Sequence, residues 1–159
     1  MPKKGFTLIE LLVVITLISI LSAIGVVSYR NLTREGRDSK RQTDLKILQS
    51  SLEQYRVDND YYPATLAMQT ALDNGEAFTS EVGARDGATG TMKTYLNQLP
   101  KETMTTFKYC YLAVPVNCDN SVENLCTSYN LYARLDNPAA DSPSYTCGGV
   151  TYNLQVTLP

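Results

Sequence analysis

The segment that decides the fold begins Gly5-Phe6-Thr7-Leu8-Ile9-Glu10 and stays apolar as far as Val27. From Phe6 to Val27 the chain has 22 residues and a single charged side chain, that of Glu10. As a helix, with a rise of about 1.5 Å per residue, this run is roughly 33 Å long, enough to cross the hydrocarbon core of a bilayer. The sequence therefore predicts a membrane-spanning helix over residues 6–27, preceded by a short basic segment at residues 1–5.

The basic residues that flank this run do not settle its orientation. Lys3 and Lys4 precede it and favour a cytoplasmic N-terminus, because cytoplasmic flanks carry an excess of Lys and Arg. Five basic residues between Arg30 and Arg41 follow it, and these favour the opposite orientation. The charge pattern alone therefore leaves both orientations open.

Two common kinds of membrane segment fit the run less well. A secretory signal has a shorter apolar region that ends at a small-residue cleavage site, whereas Ser22-Ala23 is followed by more apolar residues. A plain single-pass anchor does not explain Glu10, because a carboxylate within a membrane helix is costly and normally has a role. Glu10 therefore predicts a specific partner for its charge.

The residues from Gly5 to Ile15 resemble the prepilin leader and N-methylation motif of type IV pilins and type II secretion pseudopilins. The resemblance implies that a prepilin peptidase on the cytoplasmic side removes residues 1–5 by cutting between Gly5 and Phe6, and that Phe6 is then N-methylated. It also implies that Glu10 faces the Phe6 amine of a neighbouring subunit, where pairing offsets the cost of burying two charges.

The same resemblance implies partners and a location. The precursor is expected to span the cytoplasmic membrane once, with its N-terminus in the cytoplasm and the lipid bilayer around its helix. An inner-membrane assembly platform is then expected to add it to other copies of the same chain. The product is expected to be an extracytoplasmic filament at the cell surface.

The helix is expected to continue beyond the membrane, over residues 28–59. No proline occurs between Phe6 and Tyr62, and the turn-forming stretch Asn59–Pro63 is a stop signal. The mixed charges from Arg30 to Asp44 are expected to form a solvated face, with pairing between subunits as the alternative. Further along, apolar residues recur at the helical period and predict a stripe that packs against a core: Leu45, Leu48, Leu52 and Tyr55.

The remaining chain, residues 60–159, is expected to form a small α+β head like that of the resembled family. Thr65–Asp73 indicates a short helix and Gly83–Gly90 a loop. Three later segments, 107–113, 129–135 and 152–158, alternate apolar and polar residues as strands with one buried face do. Because no helical pattern separates them, we expect an antiparallel sheet whose buried face packs against the long helix.

Four cysteines lie in the last third of the chain: Cys110, Cys118, Cys126 and Cys147. In an exported domain an even number indicates disulfides. The alternatives are free thiols or a zinc site made of all four cysteines, although zinc ligands are normally closely paired and these are widely spaced. Four cysteines allow three pairings, which sequence does not rank. The pairing we favour has Cys118–Cys126 closing a short loop and Cys110–Cys147 joining two strands.

The composition argues against an enzyme. The chain has no His, which is the usual general base and the commonest metal ligand, and it contains no recognisable catalytic or phosphate-binding motif. From Asp60 onward there are ten acidic and five basic residues, so no nucleic-acid partner is expected. We expect no cofactor and assign no metal site. Calcium stays open, because oxygen-bearing side chains of the kind it prefers cluster in two loops: Asp119, Asn120, Glu123 and Asn124, and Asp136, Asn137 and Asp141.

Together these patterns predict a non-catalytic structural subunit, type IV pilin-like, of an extracytoplasmic helical filament. The alternative within the same family is a pseudopilin of a type II secretion or DNA-uptake machine, and the sequence does not separate the two. An alternative of a different class is a membrane-anchored ectodomain that binds a ligand. The lack of a recognisable site motif counts against that class.

Overall fold

A 52-residue helix, α1 (Leu8–Asn59), is the longest element of the computed structural model, which describes residues 5–84, 92–102 and 107–157. The other elements in the described residues are α2 (Thr65–Asn74), β1 (Phe78–Thr79), β2 (Thr94–Leu96), β3 (Cys110–Val114), β4 (Ser128–Ala133), β5 (Tyr145–Cys147), β6 (Val150–Tyr152) and β7 (Leu154–Thr157). The chain divides into two compact units, residues 1–36 and 37–159. The border between them falls within α1, inside the segment 28–59 predicted from sequence.

The first unit carries the N-terminal part of α1. Its large apolar side chains, from Phe6 to Leu32, are all exposed. The helix is long and apolar enough to cross a membrane, and its most apolar stretch has no buried residue. This surface is therefore stable only where lipid or another protein covers it. Of the leader expected at residues 1–5, Gly5 alone lies within the described residues.

In the second unit, which we call the head, α1 packs through the predicted apolar stripe, and that prediction is confirmed. The stripe is fully buried and shares one hydrophobic core with α2, β3 and β4. Its three leucines, Leu45, Leu48 and Leu52, contribute about 5–9 kcal/mol of burial free energy before entropy is subtracted. As predicted, α1 ends at Asn59, because Asp60 takes a left-handed φ of 67° that breaks the helical path.

A buried group of charges on α1 shows that the expectation of a solvated face is wrong for this part of the helix. Arg41 is 2% exposed and pairs with Asp38 at 2.9 Å, Glu102 at 2.7 Å and Asp136 at 3.0 Å. We call these four residues the Arg41 cluster. Glu102 and Asp136 are more than 60 residues away in sequence, so the pattern along α1 gives no sign of them.

The Arg41 cluster also holds the backbone of the loop at Asp136 and shifts the pKa values of two of its members. The Asp38 carboxylate accepts hydrogen bonds from the backbone N–H groups of Asp136 and Asn137, each at 2.8 Å. Burial acts to raise the pKa of Asp136, but hydrogen bonds from Arg37 and Arg41 outweigh it and hold that pKa below its usual value. Burial likewise acts to lower the pKa of Arg41, and its carboxylate partners more than reverse this effect. Arg41 and Asp136 are therefore both charged at neutral pH.

The main sheet has three strands in the order β3-β4-β7, with both pairs antiparallel. Leu131 in the centre pairs with Tyr111 on one side and with Val156 on the other. Alternate residues of β4, from Tyr129 to Ala133, are buried in the core under α1. The α+β class and the three predicted antiparallel strands are confirmed with shorter bounds. Residue 158 of the third predicted segment lies outside the described residues.

The opposite face of β3 and β4 differs from the prediction of one buried face per strand. Tyr132 is buried there in a second cluster with Cys110, Cys147 and Tyr152. A hairpin of β5 and β6 covers it, and this hairpin turns at two glycines whose φ angles, 56° and 77°, suit a tight type I′ turn. Tyr152 was expected in the third strand, but it ends β6, and β7 begins only after Asn153.

The connection between α1 and the sheet contains one predicted element and one unpredicted pair. The helix expected at Thr65–Asp73 is confirmed as α2, which ends at Asn74 and is capped by Gly75 with a left-handed φ of 68°. β1 and β2 form a short antiparallel pair that the sequence did not predict. Of the predicted loop Gly83–Gly90, the turn at Gly83 is described and residues 85–90 lie outside the described residues.

Two disulfides join the four cysteines. Cys110 on β3 is bonded to Cys147 on β5, and Cys118 is bonded to Cys126 across a sequence separation of 8 residues. These are the pairs favoured from the sequence. The first disulfide fastens the β5–β6 hairpin to the main sheet, and the second closes the loop between β3 and β4.

Candidate functional site

The segment around Gly5 and Phe6 precedes the first turn of α1. Neither residue has helical structure, and both are exposed. Apart from its chain neighbours, no atom of the described residues lies within 4 Å of the position where a side chain on Gly5 would begin. An exposed backbone without helical hydrogen bonds is a favourable substrate for a protease. The predicted cleavage bond therefore lies where an enzyme can reach it.

Thr7 and Glu10 form a reciprocal cap on the first turn of α1. The Thr7 backbone N–H donates to Glu10 Oε2 at 2.8 Å, and the Thr7 hydroxyl donates to the same oxygen at 2.7 Å. In return the Glu10 backbone N–H donates to Thr7 Oγ1 at 3.3 Å. This is the capping box, which satisfies backbone donors that the first turn leaves unpaired. Thr7 was missed in the sequence, although its Thr-x-x-Glu spacing is the usual signal for such a cap.

The Glu10 carboxylate lies in an apolar setting. A shallow hollow of about 330 Å³ is lined by Phe6, Ile9, Glu10, Val13 and Val14, so one carboxylate is surrounded by aliphatic and aromatic side chains. Such a surface suits a partner that is mainly apolar and carries one cation. Within the chain, the cap from Thr7 satisfies one carboxylate oxygen and supplies no positive charge.

The oxygen-bearing residues considered for calcium are largely engaged with the protein. Asn120 is buried; its Nδ2 donates to the carbonyls of Tyr62 and Gly83 at 2.9 and 2.8 Å, and its Oδ1 accepts from the N–H of Cys126 at 2.9 Å. In the second loop Asp136 belongs to the Arg41 cluster. Among the residues that the structure describes, no three or more His, Cys, Asp or Glu side chains are grouped to hold a metal. The sequence assigned no metal site and left calcium open, and that expectation stays untested.

The N-terminal segment matches a known family model. Residues 1–26 match the model described as the prokaryotic N-terminal methylation motif. This range includes Gly5, Phe6 and the Thr7–Glu10 cap, together with most of the apolar run. The matched segment therefore contains both the predicted cleavage bond and the capped start of α1.

Longer similarity is found to proteins named type II secretion system core protein G. The chain is 31% identical to the one from Aeromonas hydrophila, over 63% of this chain and 66% of that protein. It is 30% identical to the one from Vibrio cholerae, over 63% of this chain and 64% of that protein. For the one from Klebsiella pneumoniae the identity is 31%, over 63% of this chain and 68% of that protein.

The match thus spans just under two thirds of the first two relatives and slightly more of the third. No solved structure matches the chain. The N-terminal motif, the exposed apolar helix and the α+β head agree with the similarity in sequence. The chain therefore belongs to the family of type IV pilins and type II secretion pseudopilins.

Proposed function

We propose that this chain is a structural subunit of an extracytoplasmic helical filament that polymerises through the first part of α1. The observation that carries the proposal is the methylation motif over residues 1–26, placed on a helix whose apolar side chains are all exposed. Lipid covers that surface in the precursor, and neighbouring copies cover it in the filament. The subunit has no catalytic role of its own.

Processing begins with a prepilin peptidase that cuts between Gly5 and Phe6 while the N-terminus is on the cytoplasmic side of the membrane. Gly5 suits this role because it has no side chain to obstruct an approaching enzyme, and the bond precedes the first turn of α1. The cut removes Lys3 and Lys4 and creates a new amine on Phe6, which the same enzyme methylates. The basic leader is thereby exchanged for one cation at the end of the helix.

Glu10 then binds the Phe6 amine of a neighbouring subunit. The hollow around Glu10 offers the apolar wall and single carboxylate that an aromatic residue with an N-terminal amine requires. Two opposite charges that are costly alone in an apolar core offset each other when they pair. The cap from Thr7 orients the carboxylate before the neighbour arrives.

A pseudopilin of a type II secretion machine is the second candidate, and the relatives favour it over a long surface pilus. Those relatives are named as core proteins of the type II secretion system. In this role the filament is short, an inner-membrane assembly platform extends it, and its growth serves secretion. In that case, deleting the gene abolishes secretion without removing surface fibres. If the chain is instead a major pilin, deleting its gene is expected to remove the surface fibres.

Mass spectrometry of the N-terminus, on protein isolated from its own cells, tests the proposal. The expected mature chain begins at methylated Phe6. A mature chain that starts near residue 24 indicates ordinary signal cleavage and a secreted or anchored ectodomain. An unprocessed Met1 in assembled material contradicts the proposal as well.

A further inference from the structure

A groove of about 900 Å³ lies beside α2 in the head. Leu66 and Val116 at the groove are 82% and 65% exposed, and Val82 and Leu112 also line it. We call this the α2 groove and define it by these four apolar residues. A concave surface with exposed apolar side chains is the form that binding sites for other molecules commonly take.

Among the residues that the structure describes, the charged side chains that line the α2 groove are all acidic. These side chains are Glu76, Glu81 and Asp119, and no Lys or Arg is among the described lining residues. Within the described part of the chain, none of these three carboxylates forms a salt bridge. The occupant that suits this surface is therefore cationic on one side and apolar on another.

The first unit carries a segment of that chemistry, residues 29–34 of α1. Tyr29 and Leu32 are exposed apolar side chains. Arg30 and Arg34 are four residues apart and so lie on one face of the helix. Neither forms a salt bridge with any described residue, whereas the next three basic residues are all paired within the chain: Arg37, Lys40 and Arg41.

The sizes of the two surfaces are compatible. Six residues of α-helix are about 9 Å long, and with a diameter of about 10 Å they occupy roughly 700 Å³. The groove, at about 900 Å³, can therefore receive a stretch of this length. Its apolar residues would contact Tyr29 and Leu32 while its carboxylates reach the two arginines.

We propose that the α2 groove of one copy receives residues 29–34 of α1 from a second copy, with Arg30 and Arg34 facing the groove carboxylates. The inference rests on the proposed function, because it specifies one contact within the filament. The two surfaces belong to different parts of the chain, so the contact is heterologous. Repetition of a heterologous contact that does not close produces an open helical assembly, not a closed dimer.

Charge reversal with rescue tests this contact. The helix variant carries Arg30→Glu and Arg34→Glu, the groove variant carries Glu76→Lys and Glu81→Lys, and a third chain combines all four changes. Filaments are sheared or extracted and sedimented, and the assembled fraction is measured by immunoblot. Each two-residue variant is expected to reduce that fraction at least tenfold, and the combined chain to recover to within threefold of the native chain.

A matched control reverses charges at exposed positions outside the contact, Lys46→Glu with Glu123→Lys, and is expected to assemble as the native chain does. Cleavage of the leader is followed in every variant, so that altered membrane insertion is detected. Normal assembly of either contact variant overturns the groove contact, as does failure of the combined chain to recover. Absence of filaments from the native chain overturns the proposed function itself.

A second measurement does not depend on charge-reversed variants. Thr70 lines the groove and is exposed, and it is replaced by a photo-reactive phenylalanine analogue in an otherwise native chain. Irradiated filaments are digested, and the cross-linked peptides are identified by mass spectrometry. A peptide containing residues 29–34 of a second copy is expected. A dominant cross-link to another region of the chain, or to a different protein, contradicts the proposal.

Discussion

Replacing Arg41 with methionine is expected to destabilise the head by about 3–5 kcal/mol, because breaking a buried ion pair from one side leaves uncompensated charge. The Arg41 side chain is 2% exposed, and those of Glu102 and Asp38 are 6% and 10% exposed. Methionine is also long and unbranched, so it retains part of the packing. The loss of stability therefore comes mainly from carboxylates that stay buried without their positively charged partner.

The assay is chemical denaturation of the full chain in detergent micelles, followed by tyrosine fluorescence, since the chain has no Trp. Lys46→Met is the matched control on the same helix, because Lys46 is exposed, and it is expected to change stability by less than about 0.5 kcal/mol. The loss of stability in Arg41→Lys is expected to lie between those of Arg41→Met and Lys46→Met. A compact ammonium does not reproduce the planar fork of donors that serves several carboxylates.

The pH dependence provides the refuting result. Burial raises the pKa of Asp136, hydrogen bonds from Arg37 and Arg41 outweigh it, and the net pKa lies below the ordinary 3.8. A carboxylate with a depressed folded pKa contributes stability above its unfolded pKa and loses that contribution as pH falls through the folded pKa. The difference between native chain and Arg41→Met should therefore shrink below about pH 4. A difference in unfolding free energy between the native chain and Arg41→Met that is under about 1 kcal/mol at pH 7 would refute this reasoning. So would a difference that stays constant down to pH 3.

Three further outcomes are expected. Glu10→Ala should abolish or slow filament assembly, while mass spectrometry shows normal cleavage of the leader. Normal filaments from this variant would exclude the pairing of Glu10 with the Phe6 amine. Asn120→Ala should lower the free energy of unfolding by about 2–4 kcal/mol in the same denaturation assay, because three hydrogen bonds are lost. Asn120→Gly should lower it by less, because Asn120 has a φ of 62° that glycine adopts freely. Replacing Cys118 and Cys126 together with serine should cost about 2–3 kcal/mol through loop-closure entropy, and an unchanged denaturation midpoint would contradict this.

The elements that the sequence predicts well are those with a long, regular pattern. The stripe from Leu45 to Tyr55 repeats over several turns, and its burial follows directly from that period. The strands around Tyr111 and Leu131 alternate over enough residues to be recognised as half-buried. In each case the signal is local and repeated, so it does not depend on contacts with distant parts of the chain.

The features that the sequence did not predict depend on distant partners or on very short elements. Arg41 is buried because Glu102 and Asp136 supply counter-charges from loops elsewhere in the chain. β1 has only two residues, too few for a period to be recognised. By contrast, the hairpin turn at Gly148 and Gly149 had a readable signal, since paired glycines between short apolar segments indicate a tight turn. In the candidate site, the role of Glu10 could be argued from charge, whereas its bond to Thr7 required attention to spacing.

The position of the Arg41 cluster has a mechanical consequence. A pull transmitted along α1 from residues 1–36 enters the head at its first residues, where Arg37 binds Asp136 at 2.6 Å and Asp38 holds two backbone N–H groups. Peeling the helix away from this end must therefore break several charged contacts together before the apolar stripe is reached. Because these contacts reach the loops around Glu102 and Asp136, the force is shared among separate parts of the head. The charged contacts of the head thus meet the tension first, ahead of the apolar stripe.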